Sequence, residues 1–334
     1  MILSQTEYAE YFHGYHIIDC VVRDRNTLYW TLLSTYDDSK PAPPTHERAT
    51  SIVSCFLDEP EDAWGWTRMT GMSLMKAGAS LEPDSRFVGV DLAGHVYVIG
   101  GGENRLEKDV PNGKLEASRG AITRLKTLFG RLYACGGLRS LCHRDGAESW
   151  LAVGGNPPLP SRKEVDNRVC GFNDFDAFSI DDIYCAGDRG NVWHWNGKTW
   201  RRVDFPSSMY LESVCCGSDG YVYIGAQSGN VWRGRDDRWE LFHEDSLSLP
   251  FMDMVWFADT LWATSDYGLW QLRAGKIVKA DVPIAIGNSS GNLSVNDGVM
   301  LLSGEYGAAL HDGNEWTLLF DLATLRSEHA KKPA

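Results

Sequence analysis

The most evident chemistry in this sequence lies in acids that directly precede an arginine or a tyrosine in glycine-containing turns. Turn preference by itself accounts for Asp and Gly at such positions, but it does not account for Arg and Tyr. Arg and Tyr are enriched where proteins bind one another, which favours a binding face. The predicted partner-binding residues are Glu103, Arg139, Asp188, Arg189, Asp266, Tyr267, Glu305 and Tyr306.

Catalytic and metal-binding motifs are missing from the sequence. It contains no Gly-x-Ser-x-Gly, no His-Glu-x-x-His, no phosphate-binding loop and no dinucleotide fingerprint. The nine histidines are scattered, and the eight cysteines form no Cys-x-x-Cys and no Cys/His cluster. We therefore predict no catalytic residue, no metal, no cofactor, and buried reduced thiols in place of disulfides.

One sequence pattern recurs every 39 residues and defines the structural elements that position these side chains. Tyr184 and Tyr223 are 39 positions apart, and so are Trp193 and Trp232. Copies continue in both directions and make seven units, of which the first is inferred mainly from the remaining length. A period near 40, built of short apolar runs divided by Gly, Asp and Asn, is typical of a propeller blade.

Each unit predicts four short antiparallel strands. In the clearest copy the strands are 175–180, 183–186, 191–195 and 199–203, and Asn196-Gly197 is a strong hairpin signal. The predicted fold is all-β, a seven-bladed β-propeller of four-stranded antiparallel blades forming a single domain over 1–334. The predicted blades are approximately 15–70, 71–118, 119–160, 170–207, 208–249, 250–284 and 285–325, with a disordered tail at 326–334.

Two proline-rich segments interrupt the repeat, at 38–48 and 154–168. Because proline is excluded from sheet interiors, we predict surface loops, which are equally consistent with a binding role and with neutral insertions. Ring closure should remove exposed sheet edges. We expect a strand from 1–25, or the segment 314–322, to complete a blade with the opposite terminus. The repeat tryptophans are predicted to pack between blades.

The charge balance limits the classes of partner. With 32 basic and 45 acidic residues, the net charge is −13, which disfavours nucleic acid and anionic membranes and allows a basic protein partner. No apolar run is long enough to span a membrane. The first 20 residues lack the pattern of a secretory signal, so we expect a cytoplasmic protein.

The repeat resembles those of kelch-type and Asp-box-type propellers. The double glycines Gly100-Gly101 and Gly136-Gly137 are similar to the kelch signature, and the segment from Asp188 to Trp193 is similar to an Asp-box. The resemblance covers about 86–320 and implies architecture, because such folds host many unrelated functions.

A small acidic propeller without catalytic motifs also resembles bacterial immunity proteins that neutralise a cognate toxin domain by covering it. That resemblance implies a cytosolic protein-binding propeller whose partner is a basic toxin domain, with no nucleic acid or membrane partner and no enzyme activity. Two alternatives stay open from the sequence. One is an assembly or adaptor scaffold, and the other is an enzyme or glycan binder with a pocket in the central channel.

Overall fold

The computed structural model describes residues 3–166, 170–245 and 247–331, and these residues form seven four-stranded antiparallel sheets arranged in a ring. The seven-bladed propeller expected from the repeat is confirmed. Blades 1 to 3 comprise β1 Tyr15–Asp24, β2 Thr27–Ser34, β3 Thr50–Phe56, β4 Trp64–Met69; β5 Lys76–Ser80, β6 Arg86–Val90, β7 Val96–Gly100, β8 Glu103–Glu107; and β9 Ile122–Leu128, β10 Arg131–Gly136, β11 Ser140–Gly146, β12 Ser149–Ala152.

Blades 4 to 7 follow the same order. They comprise β13 Asp174–Ser179, β14 Asp182–Gly187, β15 Asn191–Trp195, β16 Trp200–Arg202; β17 Leu211–Cys216, β18 Val222–Ala226, β19 Val231–Arg235, β20 Arg238–His243; β21 Asp253–Phe257, β22 Thr260–Ser265, β23 Gly268–Arg273, β24 Lys276–Lys279; and β25 Asn292–Asn296, β26 Val299–Gly304, β27 Gly307–His311, β28 Trp316–Asp321. The short helices are α1 Gln5–Glu7, continued by a π-helical turn Tyr8–Phe12, then α2 Arg162–Asp166, α3 Ile284–Asn288 and α4 Leu322–His329.

The first strand of every blade lines the central channel, and each packs against the first strand of the next blade. Strand direction then gives the ring two distinct faces. The connections between blades and the turns between second and third strands emerge on one face, which we call the insertion face. The remaining turns, most of them tight hairpins, emerge on the opposite, hairpin face. Residues 38–48 and 154–166 of the proline-rich segments, the two terminal helices and α3 lie on the insertion face.

The way the ring closes differs from the sequence expectation. Strand β1 pairs with β2, and β28 pairs with β27, so neither terminus completes a blade with the other. The termini meet instead as helices, because the apolar side chains of Leu3, Tyr8 and Phe12 pack in one cluster with Leu322 and Leu325. Hydrogen bonds between blades 1 and 7, such as Trp30 Nε1 to Ser303 Oγ at 2.9 Å, join the sheets beneath them.

The expected disordered tail at 326–334 is corrected in its first part. Helix α4 continues to His329, capped by the Asp321 carboxylate, which accepts the backbone N–H groups of Ala323 and Thr324. Burial of Leu325 against the N-terminal segment explains why the helix forms. Residues 332–334 of the expected tail lie outside the described residues.

The tryptophans of the repeat pack between blades to different degrees. Trp193 is buried, whereas Trp200, Trp232 and Trp239 are half-buried. All eight cysteines are free thiols, and six of them are buried. His194 is buried and stacked on Tyr184, with ring centroids 4.2 Å apart, although its place in the third strand of the repeat predicts an exposed side chain. No helix of the described residues is long and apolar enough to cross a membrane.

Candidate functional site

The turns between second and third strands have a recurrent geometry that turns their central residue outward. Asp188–Gly190 and Gln227–Gly229 each form a single 3-10 turn. The central residues Arg189 and Ser228 have φ of 47° and 63°, and the glycine that follows each also has positive φ. Glycine tolerates this conformation best, which explains its place in the repeat. Arg189 is consequently exposed on the insertion face.

Blades 6 and 7 present their predicted residues to solvent on the same face. Asp266 and Tyr267 are exposed, and the Tyr267 hydroxyl donates to Ser248 Oγ at 2.9 Å, which ties the turn to the preceding blade connection. Tyr306 is 53% exposed. Three residues chosen from the sequence thus lie at neighbouring turns of one surface.

Glu305 has a second role at the ring closure. Its carboxylate lies 3.0 Å from His16 Nδ1 and 2.7 Å from an Arg326 nitrogen, and it is only partly exposed. Glu305 therefore links blade 7 to β1 and to α4. Any binding by Glu305 competes with these two contacts.

Asp188 is half-buried and holds a connection between blades. Its carboxylate accepts backbone N–H groups of Cys170 and Gly171, at the end of the segment that joins blades 3 and 4. Burial raises the pKa of Asp188, and those hydrogen bonds act against the increase. The first acid of this turn therefore stabilises the fold, while its neighbour Arg189 is the exposed member of the pair.

Arg139 does not belong to an accessible binding surface. It is 2% exposed, its Nη1 donates to the Pro158 carbonyl, and its Nη2 bonds Glu164 Oε1. Its guanidinium also lies 4.9 Å from the ring centroid of Trp193. The long connection between blades 3 and 4, which contains α2, folds over this turn and buries Arg139. The hydrogen bonds of Arg139 in turn hold the connection in place. Of the predicted insertion at 154–168, residues 167 and 168 lie outside the described residues.

The pKa of Glu164, whose carboxylate accepts the hydrogen bond from Arg139, is strongly shifted. Burial acts to raise the pKa of Glu164, but hydrogen bonds from Ser161 and Arg139 outweigh it and lower the pKa to about 2. An ionised Glu164 is thus maintained over the whole physiological range. This ion pair fastens the connection to the blade.

Glu103 lies on the hairpin face, whereas the other predicted partner-binding residues belong to turns of the insertion face. Strand β7 is the third strand of blade 2, so the turn before Glu103 is a hairpin to the outer strand and emerges on the hairpin face. Asp91 occupies the place equivalent to Asp188, fully buried, and accepts N–H groups from Ser73, Ala93 and His95. For the same reason Gly100-Gly101 follows a third strand, and the kelch-like resemblance is not confirmed.

The structure adds residues that the repeat alignment missed. Tyr210, Leu249 and Ile284 are exposed in the blade connections next to the predicted turns, and Ile284 is 82% exposed. Together with acids of the same connections they form a surface that we call the blade 5–7 arc. The arc consists of Tyr210, Glu244, Leu249, Asp266, Tyr267, Asp281, Ile284 and Tyr306.

The arc carries the acids Glu244, Asp266 and Asp281, and the bases near it lie at its edge, where Lys279 packs against Gly268 and Arg326 pairs with Glu305. The segments 244–252, 266–267, 280–291 and 305–306 contain five acids and no lysine or arginine. Among the described residues, neither Asp266 nor Asp281 makes an ion pair. Exposed aliphatic and tyrosine side chains between unpaired acids give a surface that is apolar at the contact and negative at a distance.

The channel is crossed by charged side chains of blade 3. Arg124 Nε and Nη1 lie 3.5 Å from Asp174 and 3.4 Å from Asp253, and Lys126 Nζ lies 2.8 Å from Asp174. Since each of these carboxylates is almost fully buried, the cations compensate charges that would otherwise be costly. This network lies in the half of the channel nearer the insertion face, where β13 and β21 begin.

First-strand aspartates also join neighbouring blades through the backbone. Oxygens of Asp174 and Asp253 accept the N–H groups of Val214 and Leu293 in the following blade, at 2.7 and 2.9 Å. Acceptor and donor are 40 residues apart in both pairs. The period of the repeat was the signal that could have identified these residues. The described residues hold no group of three or more His, Cys, Asp or Glu side chains suited to a metal ion.

Comparison with known proteins supports the architecture and one functional class. No family model matches the chain. Over 266 residues the chain is 28% identical to immune protein Tsi7 of Pseudomonas aeruginosa, and the alignment covers 79% of this chain and 83% of that protein.

Two solved structures share the fold at low sequence identity. The WD40 β-propeller domain of Doa1 has a TM-score of 0.57 and 12% identity and covers 88% of this chain and 91% of its own. U3-55K has a TM-score of 0.56 and 13% identity, with 92% of each chain covered. The chain is thus a seven-bladed β-propeller similar in sequence to an immune protein.

Proposed function

We propose that this propeller is a cytoplasmic immunity protein that neutralises a cognate toxin domain by binding it directly. The observation that carries the proposal is the sequence similarity to immune protein Tsi7, which extends over most of both chains. The fold is consistent with a binding role because a rigid ring of blades presents many loops on one face. Catalysis is not part of the proposal.

The blade 5–7 arc is the surface that we assign to the partner. Tyr267, Ile284 and Tyr306 are exposed side chains of types that desolvate well at an interface. The acids between them act over longer distances, so a basic toxin domain is the partner that fits the surface charge. Arg189, at the adjacent turn of blade 4, borders the arc.

The proposal retains only part of the residue set derived from the sequence. Asp266, Tyr267 and Tyr306 are in the arc. Arg189, Asp188 and Glu305 lie beside it, and the latter two also hold structural contacts. Arg139 and Glu103 are left out, because the first is buried and the second lies on the hairpin face.

The experiment begins with identifying the partner. The tagged chain is purified from its native host under low salt, and copurifying proteins are identified by mass spectrometry. A candidate is then expressed in a sensitive strain with and without the propeller. We expect growth arrest by the candidate alone and rescue by co-expression of the propeller.

A matched pair of variants links rescue to the surface. Tyr306→Ala combined with Asp266→Lys should rescue growth less well than wild type at equal protein level. Glu103→Lys, on the opposite face, should rescue fully. A copurifying protein that is harmless when expressed alone would contradict the immunity function and would favour an adaptor role.

A further inference from the structure

The channel contains a cavity of about 280 Å³ on the side of the hairpin face. All seven blades contribute to its lining. Leu128, Ser218 and Trp256 lie near the hairpin-face ends of their blades' first strands and form the outer wall, which places the mouth on the hairpin face. The cavity is just below the usual size range of sites for drug-sized ligands, so it suits a compact ligand.

Two carboxylates that line this cavity have cations nearby but make no direct ion pair among the described residues. Asp19 is 6% exposed and accepts the N–H groups of Cys20 and Ala77. Asp176 accepts the N–H groups of Ala177 and Cys216. Among the described residues neither forms an ion pair, and a carboxylate oxygen that accepts one N–H group keeps further acceptor capacity.

Two cations near these carboxylates, Lys126 and Arg124, are already paired with other groups, and Lys76 also lies near Asp19. Lys126 Nζ bonds Asp174 and the Val214 carbonyl at 2.8 and 3.0 Å. Arg124 bonds Asp253 and the Met252 carbonyl. The direct ion pairs therefore involve the carboxylates at the base of the channel, whereas Asp19 and Asp176 in the cavity wall receive only longer-range attraction from these cations and Lys76.

We propose that this cavity binds a small organic cation, an alkylammonium or guanidinium group, with its charge against Asp176 and its alkyl part against the apolar wall. Burial raises the pKa of Asp176 to about 6, although attraction by Lys126 and the two N–H donors acts against the increase. A bound cation compensates this charge, and Trp256 supplies an aromatic surface of the kind that favours cations. The proposal is independent of the partner assigned to the insertion face.

The cation has two possible sources, a free small molecule or the side chain of a lysine or arginine in a partner that docks at the hairpin face. Exposed Phe129 and Ile180, at the first turns of blades 3 and 4, flank the mouth and suit the second source. The two sources share the recognised group. They differ in whether peptide backbone is tolerated at the mouth.

Isothermal titration calorimetry of the full chain at pH 7.5 tests the site with simple probes. We expect n-butylammonium and n-butylguanidinium to bind, and the neutral n-butanol and the anionic n-butyrate not to bind. Stronger binding of the peptides Gly-Lys-Gly and Gly-Arg-Gly would identify a partner side chain as the source, and binding of the free cations alone would identify a small molecule. Equal binding of butanol and butylammonium, or no binding of any cation, would overturn the proposal.

Variants and the pH dependence of binding test whether Asp176 is the carboxylate that holds the cation. Asp176→Asn should weaken cation binding roughly tenfold or more, the usual effect of losing a charge-assisted hydrogen bond. Asp259→Asn, an exposed change on the hairpin face outside the cavity, should leave it unchanged. Wild-type affinity should fall between pH 7.5 and pH 5 as Asp176 takes up a proton, and this readout remains available if Asp176→Asn does not fold. Affinity that is independent of pH would contradict the site.

Discussion

The Arg124 guanidinium of blade 3 lies 3.4 Å from the Asp253 carboxylate of blade 6, across the channel and 129 residues further along the chain. A second nitrogen of the same group donates to the Met252 carbonyl at 2.9 Å. One side chain therefore joins blades that share no strand. The centre of the ring is held by a buried ion network in addition to blade packing.

Replacing Arg124 by methionine should lower the free energy of unfolding by about 3–5 kcal/mol, because Asp253 and Asp174 are then left buried with less compensation. Urea unfolding followed by tryptophan fluorescence measures the change. Arg131→Met is the matched control, because Arg131 is exposed. The double variant Arg124→Met/Asp253→Asn should lose less than the sum of the two single changes. Additive losses would show that the two groups do not interact.

The stability of the ring should also depend on the protonation of Asp176. Burial raises the pKa of this carboxyl to about 6 in the folded state, above its value of about 4 in an unfolded chain. The folded state then binds the proton more tightly, so this contribution to stability is present at low pH and is lost as the pH rises through about 6.

The comparison with Asp176→Asn isolates that contribution from those of other groups. Between pH 4 and pH 7.5, the unfolding free energy of wild type relative to the variant should fall by up to about 3 kcal/mol. Urea unfolding at four pH values measures it. A difference that does not change with pH would mean that Asp176 has an ordinary pKa.

The fold was predictable because its signal is periodic. Anchors such as Trp193 and Trp232 fix the strand order of the later blades, and a hairpin signal such as Asn196-Gly197 marks strand ends. In blade 2 the sequence predicts a second strand at Gly94 to Gly101, because this segment has the composition of the repeated pattern, but the segment forms the third strand. This shift by one strand places Glu103 on the hairpin face.

The site was less predictable for two physical reasons. Residues such as Leu249 and Ile284 lie in blade connections of variable length, so no repeat position identifies them. Burial was not visible in the sequence either, because the repeat alignment set Arg139 opposite the exposed Arg189. In the structure, however, Leu138 takes the position of Arg189 and Arg139 that of Gly190. The two arginines therefore differ in turn position, and only Arg139 is bonded to the long connection between blades 3 and 4.

The contact between the two termini should contribute strongly to stability. Leu325 of α4 is 1% exposed and packs in the cluster that contains Leu3 and Phe12. Leu325→Ala should therefore cost about 2–5 kcal/mol. Leu115→Ala is the control, since Leu115 is 93% exposed and should change stability little. Thermal and urea unfolding give both values, and equal effects would contradict helix docking as the means of closure.

The repeat tryptophans should differ in their contribution to stability. Trp193 is buried and supports Arg139, so Trp193→Ala should cost about 3–5 kcal/mol. Trp239 is half-buried, so Trp239→Ala should lower the free energy of unfolding clearly less than Trp193→Ala does. Chemical denaturation of the two variants tests this order. The reverse order would mean that the outer position carries the packing between blades.

Variants of the blade 5–7 arc should distinguish long-range charge attraction from direct contact, because the two affect different rate constants for binding of a cognate partner. Asp266→Lys should lower the association rate and weaken its dependence on salt, because attraction by charge acts before contact. Tyr306→Ala should mainly raise the dissociation rate, at a cost of about 1–3 kcal/mol if the ring anchors the complex. Surface plasmon resonance at two salt concentrations resolves both rates.

Glu103→Lys is the control for this experiment, because it makes the same change of charge on the hairpin face. We expect both of its rates to match those of wild type. If Asp266→Lys and Glu103→Lys slow association equally, then net charge and not the arc steers the partner. If neither arc variant changes a rate, the partner binds elsewhere. The connection that contains α2 is then the next surface to substitute, because it lies on the insertion face against Arg139 of blade 3 and Arg202 of blade 4.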